Sequence, residues 1–272
     1  MKSTNDNLKF QAEHHELIQT NNFQTIEQYC LHLIHQKAYL EASIFAKDKI
    51  VLDLGCNIGY GTNILSNHAK TIFGVDISSN AIQMAKVTYQ NSNINFKYFD
   101  GNTLPFEDNK FDLIVSFQVI EHIVDYDLYF NEMERVLSPD GIVIFTTPNS
   151  KLRIKKGLKP WNPFHVREFT AKELKFLLSL YFSMVEIKGL YAKKELYNIE
   201  FNRLKRIKRN HYLKFKKNNP NYFNKFINVL FKKIVNNKKH NSTDPNNYSL
   251  NDLYYVNRNL NKSLDFMVIC KL

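Results

Sequence analysis

Short apolar runs recur through the first half of the chain, and each one ends in polar or turn-forming residues. Ile50-Val51-Leu52 is the first and stops at Asp53. Residues 71–75, 94–98, 111–115 and 142–145 repeat the pattern. A run without polar alternation suits a parallel strand covered on both faces. Helical spacing fills the intervals. Ser78 or Ser79 can cap a helix through Ala81, Ile82 and Ala85, and a second helix covers about 126–137 before the turn signal Ser138-Pro139-Asp140-Gly141. Upstream, residues 23–46 place Ile26, Leu31, Leu33, Ile34, Tyr39 and Leu40 at helical spacing.

The rhythm changes after residue 150. Thr170-Ala171-Lys172-Glu173 predicts a capping box that opens a helix through Leu180. Residues 183–190 read as a strand, and Leu264-Asp265-Phe266-Met267-Val268-Ile269-Cys270 as a closing one. Strands alternating with helices predict an α/β domain whose crossovers are right-handed. The expected fold is a Rossmann-like, seven-stranded, mostly parallel sheet flanked by helices. Residues 1–46 form an N-terminal helical cap or lid, 47–190 the core, 191–250 a basic helical insertion and 251–272 the closing strand of the core.

Charge sharpens this division. The chain of 272 residues carries a formal +11, yet residues 201–240 hold thirteen Lys or Arg and no Asp or Glu, so the remainder is about −2. The basic character therefore belongs to the insertion. The three cysteines, Cys30, Cys56 and Cys270, are far apart and show no paired ligand spacing. That excludes a disulfide framework and a structural zinc motif, and no cluster assigns a metal. The polar first twenty residues and the lack of a long apolar run predict a cytoplasmic protein.

The first strand leads into Asp53-Leu54-Gly55-Cys56-Asn57-Ile58-Gly59, a turn with small residues where a ligand can approach the backbone. A carboxylate in the turn would repel a phosphate and suits a cationic amino group. Asp76 ends the second strand, where a carboxylate can accept both hydroxyls of a ribose. Asp100 lies just past the third strand, in reach of an adenine amino group. The expectation is that all three carboxylates point into one crevice. Taken singly, Gly55 and Gly59 could instead serve helix–strand packing, and Asp76 could cap a helix.

From Val51 to Ile123 the sequence resembles the class I S-adenosylmethionine-dependent methyltransferases of small molecules. The turn motif, Asp100-Gly101-Asn102-Thr103-Leu104-Pro105-Phe106, Phe111-Asp112-Leu113-Ile114-Val115-Ser116 and Glu121-His122 carry that resemblance in order. It implies S-adenosylmethionine as cofactor and S-adenosylhomocysteine as product. Asp53, Gly55 and Gly59, with Cys56 between them, would form the methionine end. Asp76 would hold the ribose, Asp100 would lie near the adenine, Ile77 and Gly101 would line the adenine slot, and Phe117 and Gln118 would meet the methionine end. Asn57 stands where the family has glycine, and asparagine tolerates the left-handed backbone that the turn needs.

Methyl transfer to a hydroxyl requires positioning and removal of a proton. His122, after the fourth strand, and His165, after the fifth, are the candidate bases. Asn162-Pro163-Phe164-His165-Val166-Arg167-Glu168-Phe169 resembles a stretch of methyltransferases associated with bacterial surface glycans. That resemblance favours His165 as the base and gives Arg167 an acceptor phosphate or carboxylate to bind. The competing reading makes His165 a helix cap and pairs Arg167 with Glu168 or Glu173. The implied function is O-methylation of a nucleotide-linked sugar or glycan precursor, in polysaccharide biosynthesis. A lipid or quinone acceptor at the membrane surface is the alternative. An RNA acceptor is disfavoured, because Ser116-Phe117-Gln118-Val119 lacks the Asn/Asp-Pro-Pro-aromatic motif of adenine amino methylation. In the insertion, Phe223, Phe226, Ile227, Leu230, Phe231 and Ile234 form a helical stripe among lysines, suited either to packing on the core or to an anionic partner.

Overall fold

A computed structural model describes residues 23–218 and 247–272. The helix expected at the start is α1 (Ile26–Ala46), capped by the Thr25 hydroxyl, which accepts from Gln28 N. There follow β1 (Ile50–Leu54), α2 (Tyr60–Ser66), β2 (Thr71–Asp76), α3 (Ser79–Thr88), β3 (Ile94–Tyr98) and β4 (Phe111–Phe117). After a short 3-10 turn, Ile120–His122, come α4 (Tyr126–Val136), β5 (Leu137–Pro148), α5 (Ser150–Arg153), α6 (Ala171–Leu178), β6 (Met184–Ala192), α7 (Lys194–Asn218), β7 (Leu253–Val256) and β8 (Asp265–Lys271).

The strands form one sheet in the order β3-β2-β1-β4-β5-β8-β6-β7. β1 to β4 pair in parallel with one another and with β5, whereas β8 runs antiparallel between β5 and β6. The sheet is thus mixed and has eight strands, not the seven expected. The extra one is β7, which pairs antiparallel with the outer edge of β6 through Leu190↔Tyr255 and Tyr191↔Tyr254. Its short Leu-Tyr-Tyr-Val run covers an edge that would otherwise expose unpaired backbone groups.

α4 ends at Val136, just before the Ser138-Pro139-Asp140-Gly141 segment, as expected, but that segment does not connect two elements. It lies within β5, between the pairs Phe111↔Leu137 and Leu113↔Ile142. The extra residues on β5 bulge outward there, since Pro139 has no N–H to give the ladder.

Alternate residues of the strands supply two cores, one on each face. Leu52, Ile114, Val143, Phe145, Phe266 and Val268 pack with Phe130 and Met133 of α4 and with Leu174 and Leu178 of α6. Val51, Leu113, Val115, Ile144, Met267 and Ile269 pack with Ala38, Tyr39 and Ala42 of α1 and with Leu65 of α2. Such two-sided burial is why the strands read as continuous apolar runs.

A third cluster joins Cys30, Leu33 and Ile34 of α1 to Leu196 and Ile199 of α7 and Leu190 of β6. The start of the insertion is therefore packed against the N-terminal helix. Part of its charge is internally matched: Arg203 pairs with Glu200 at 2.6 Å, Arg206 pairs with Glu27 at 3.0 Å, and Lys208 Nζ donates to the Lys151 carbonyl at 2.6 Å. The apolar stripe at 222–235 lies outside the described residues. Among the described residues no helix is long and apolar enough to cross a membrane.

Candidate active site

The strand order reverses between β1 and β4, and in open α/β sheets ligands bind at the carboxyl ends of strands at such a point. The turn after β1 lies there. Gly55, Asn57 and Gly59 all take positive φ, at 87°, 49° and 82°. Gly55 N and Cys56 N both donate to the Val75 carbonyl, which ties the turn to β2. A Cβ on Gly55 would stand 2.4 Å from Val119 Cγ2, so only glycine brings the backbone this close. Asn57 holds its left-handed backbone while its own side-chain oxygen accepts from Ile58 N at 2.8 Å. That local bond is what lets asparagine stand in for glycine.

The three carboxylates do not share one exposure. Asp53 is fully buried, and its oxygens accept from Thr62 Oγ1 at 2.7 Å and from Tyr39 OH at 3.4 Å. Burial pushes its carboxyl up to about 7, against the pull of those two hydroxyls and with a further rise from Asp76. Asp76 accepts from Asn57 N at 2.8 Å with one oxygen and from Ser78 N at 2.9 Å with the other, and so fixes both loops of the crevice. Each oxygen has a second lone pair for a diol. Asp100 is exposed and accepts from Asn102 N and Nδ2, bonds that lower its carboxyl. Asp53 and Asp76 are neighbours, with Asp53 closed in by Tyr39 and Thr62, while Asp100 stands at the surface. The physical reason is that β3 is the edge strand of the sheet.

Half-buried Ile77 and Gly101 flank the Asp76 and Asp100 positions, with Gly101 at φ 89°. Phe117 is buried edge-on against Tyr39, ring centroids 4.8 Å apart. Gln118 takes φ 57°, a strained value for a residue with a side chain. It is held there by its backbone N–H to the Thr146 carbonyl and by its side-chain amide, which donates to Asp265 at 2.8 Å. These features fit S-adenosylmethionine: a glycine turn open to a ligand, an acceptor pair on Asp76, and a buried carboxylate for a cation.

A second polar cluster is built where the 120–122 turn meets the loop before α6. Val166 N and Arg167 N both donate to the Glu121 carbonyl. That lacing brings the His122 and His165 rings to 4.8 Å, nearly perpendicular at 83°. His122 Nδ1 lies 2.9 Å from the Phe164 carbonyl, and His165 Nδ1 lies 2.7 Å from Glu168 Oε1. The second oxygen of Glu168 accepts from Arg153 Nε at 2.9 Å, and the guanidinium of Arg153 lies over the Trp161 ring. Burial would raise the Glu168 carboxyl, but His165 and Arg153 together hold it below the usual range. His165 is therefore not a helix cap. The cap of α6 is Thr170, in the expected box with Glu173. Arg167 is half exposed, reaches Glu173 at 3.6 Å and lies over the Phe169 ring.

Glu121 is buried, accepts from Thr147 Oγ1 at 2.9 Å, and has its carboxyl raised by burial. Asp265, at the start of β8, is buried too, and burial together with Glu121 raises it well above the carboxylate range. The Tyr126 hydroxyl is buried without a partner, and Arg167 and Glu121 are the charges that act on it. Sequence reasoning missed Arg153, Thr147 and Asp265 as members of this site. A polar residue inside the apolar run Leu264-Asp265-Phe266 was the available signal for the last of them.

Residues 52–145 match the family described as a methyltransferase domain. A Mycolicibacterium smegmatis protein described as a probable S-adenosylmethionine-dependent methyltransferase is 32% identical over 145 residues, covering 53% of this chain and 55% of that one. The ubiquinone biosynthesis O-methyltransferase of Coxiella burnetii is 32% identical over 127 residues, covering 45% of this chain and 54% of that one. The chain spans about half the length of these curated relatives. Among solved structures, a Pyrococcus horikoshii protein is 26% identical at a TM-score of 0.50, covering 64% of this chain and 91% of that one. The cyclase SpnF shares the fold at 15% identity and a TM-score of 0.53, covering 97% and 93%. Since a cyclase shares it, the fold alone does not set the reaction.

Proposed function

With a class I methyltransferase domain across residues 52–145 as the premise, we propose that the chain transfers the methyl group of S-adenosylmethionine to a hydroxyl of a sugar, nucleotide-linked or glycan-linked. The observation that carries the reading is the meeting of Glu121, His122 and His165 at the carboxyl ends of β4 and β5, beside the cofactor crevice. A sulfonium needs no acid to leave, so a methyltransferase to a neutral amine, which attacks through its own lone pair, has little use for two imidazoles and a carboxylate held in this way. A hydroxyl does need them, because it must lose its proton. The expectation that His165 acts on that proton is supported by its tautomer. Glu168 takes the N–H at Nδ1, which leaves the lone pair on Nε2.

The sugar acceptor is supported by the glycan-methyltransferase resemblance of the 162–169 segment and by half-exposed Arg167 and the unpartnered Tyr126 hydroxyl beside the cluster. A second reading, a quinone acceptor, is favoured by the similarity to the ubiquinone biosynthesis O-methyltransferase. The test is incubation with methyl-labelled S-adenosylmethionine against nucleotide sugars, a quinol series and total RNA, with the methylated atom found by mass spectrometry and NMR. A sugar methyl ether supports the proposal. Label only in quinols selects the second reading, and label on nitrogen, carbon or RNA retires both.

A further inference from the structure

Glu121 and His122 come from one turn and His165 from a loop far along the chain, yet their ligand-capable atoms all lie within 4.8 Å of one another. Both imidazoles are already oriented. The Phe164 carbonyl lies at Nδ1 of His122 and the Glu168 carboxylate at Nδ1 of His165, so each neutral ring carries its lone pair on Nε2. Metal-ligating histidines are held in this way, by a carbonyl or a carboxylate on the opposite nitrogen. The carboxylate of Glu121 is fixed likewise, by the Thr147 hydroxyl.

Charge points to the kind of ligand. Glu121, Glu168 and Asp265 are 1%, 6% and 6% exposed, and Arg153, at 8%, is the cation buried with them. Three buried carboxylates against one guanidinium leave a surplus of negative charge where water cannot offset it.

We infer that Glu121, His122 and His165 form a binding site for a first-row divalent cation of the zinc or manganese kind, beside the position of methyl transfer. Two imidazoles and a carboxylate make a ligand set that leaves further coordination positions open, as catalytic zinc sites do. Tetrahedral ligands at bonds of about 2.1 Å stand roughly 3.4 Å apart, so the three side chains close by about an ångström on binding. The role of the cation rests on the methyltransferase reading. A cation there makes an acceptor hydroxyl more acidic. The proton leaves to water, an oxygen lone pair bonds the methyl carbon, and the C–S bond gives its electron pair to sulfur, yielding a methyl ether and neutral S-adenosylhomocysteine. His165 then acts on the acceptor proton through the cation that it ligates.

The experiment uses the full chain without a histidine tag, stripped with chelator and titrated with Zn2+ by calorimetry and with Co2+ by visible absorption. The expected result is one equivalent bound with a cobalt ligand-field spectrum. His122→Asn, His165→Ala and Glu121→Gln should each weaken binding at least tenfold, with S-adenosylhomocysteine affinity kept as the control for folding. Wild-type binding no tighter than that of His122→Asn and Glu121→Gln overturns the site. A stripped enzyme that methylates as fast as the loaded one overturns the role in hydroxyl activation. Product analysis stands apart from both: a bound cation with label found on nitrogen or carbon keeps the site and removes only the O-methylation reading.

Discussion

The carboxylate of Glu168 meets Nδ1 of His165 at 2.7 Å, and both side chains are buried. The pair fixes the Nδ1 side of the ring, so that neutral His165 keeps its lone pair on Nε2. Glu168→Gln replaces an acceptor with a group that can turn its NH2 toward the ring and favour the wrong tautomer. Loss of such an orienting partner costs about 10–100-fold in activity or metal affinity. His165→Ala should cost roughly a hundredfold or more. Steady-state kinetics beside calorimetry of cofactor binding should show turnover falling in both variants with cofactor affinity within about twofold of wild type.

Asp76 is the hinge of the cofactor crevice, since its two oxygens hold Asn57 N and Ser78 N. Asp76→Ala should lower S-adenosylhomocysteine affinity at least tenfold. It should also destabilise the fold by about 1–3 kcal/mol, because two backbone donors lose their acceptor. Unchanged affinity in titration calorimetry would show that the ribose is held elsewhere.

Asp53 makes stability depend on pH. Its carboxyl is raised to about 7 by burial. The native state therefore keeps a proton that the unfolded chain has already lost near pH 4. The stability from this group is full below about pH 4 and is lost as pH rises through about 7, on the order of 4 kcal/mol in all. Asp53→Asn cannot ionise. Denaturation of the ligand-free proteins should show the variant gaining on wild type between pH 5 and pH 8. A constant difference would refute the assignment.

Gly55→Ala tests the turn. The new Cβ would lie 2.4 Å from Val119 Cγ2, at a φ of 87°. The backbone strain alone costs about 1–2 kcal/mol, and the clash adds to it. Val119→Ala in the same chain should recover the clash but not the strain. Thermal denaturation of the single and double variants separates the two contributions.

Residues 201–240 carry thirteen cations, several of which are matched by carboxylates or carbonyls on α1, α5 and α7 itself. Attraction to an exposed anionic surface is screened over about 8 Å at physiological salt. Co-sedimentation with anionic vesicles and with RNA should therefore give weak retention that is lost by moderate salt, while sugar-nucleotide turnover persists. Tight vesicle binding that persists at physiological salt would favour the quinone or lipid acceptor, and selective RNA binding the RNA acceptor.

The sequence by itself determined the local elements and the cofactor turn. Runs such as Ile50-Val51-Leu52 are continuous because both faces of the strand are covered, and Gly55, Asn57 and Gly59 mark a left-handed backbone that few other residues adopt. These are short-range constraints, and a single segment states them in full. β7 was not legible, because a four-residue run gains its meaning only from the free edge of β6. Nor was the acceptor cluster. Glu121, Arg153, Asp265 and the loop that carries His165 and Glu168 are far apart in the chain, and apart from His165 each alone reads as a surface charge. Only the tertiary structure decided that they are buried together, because a charge leaves water only where other segments supply its partners.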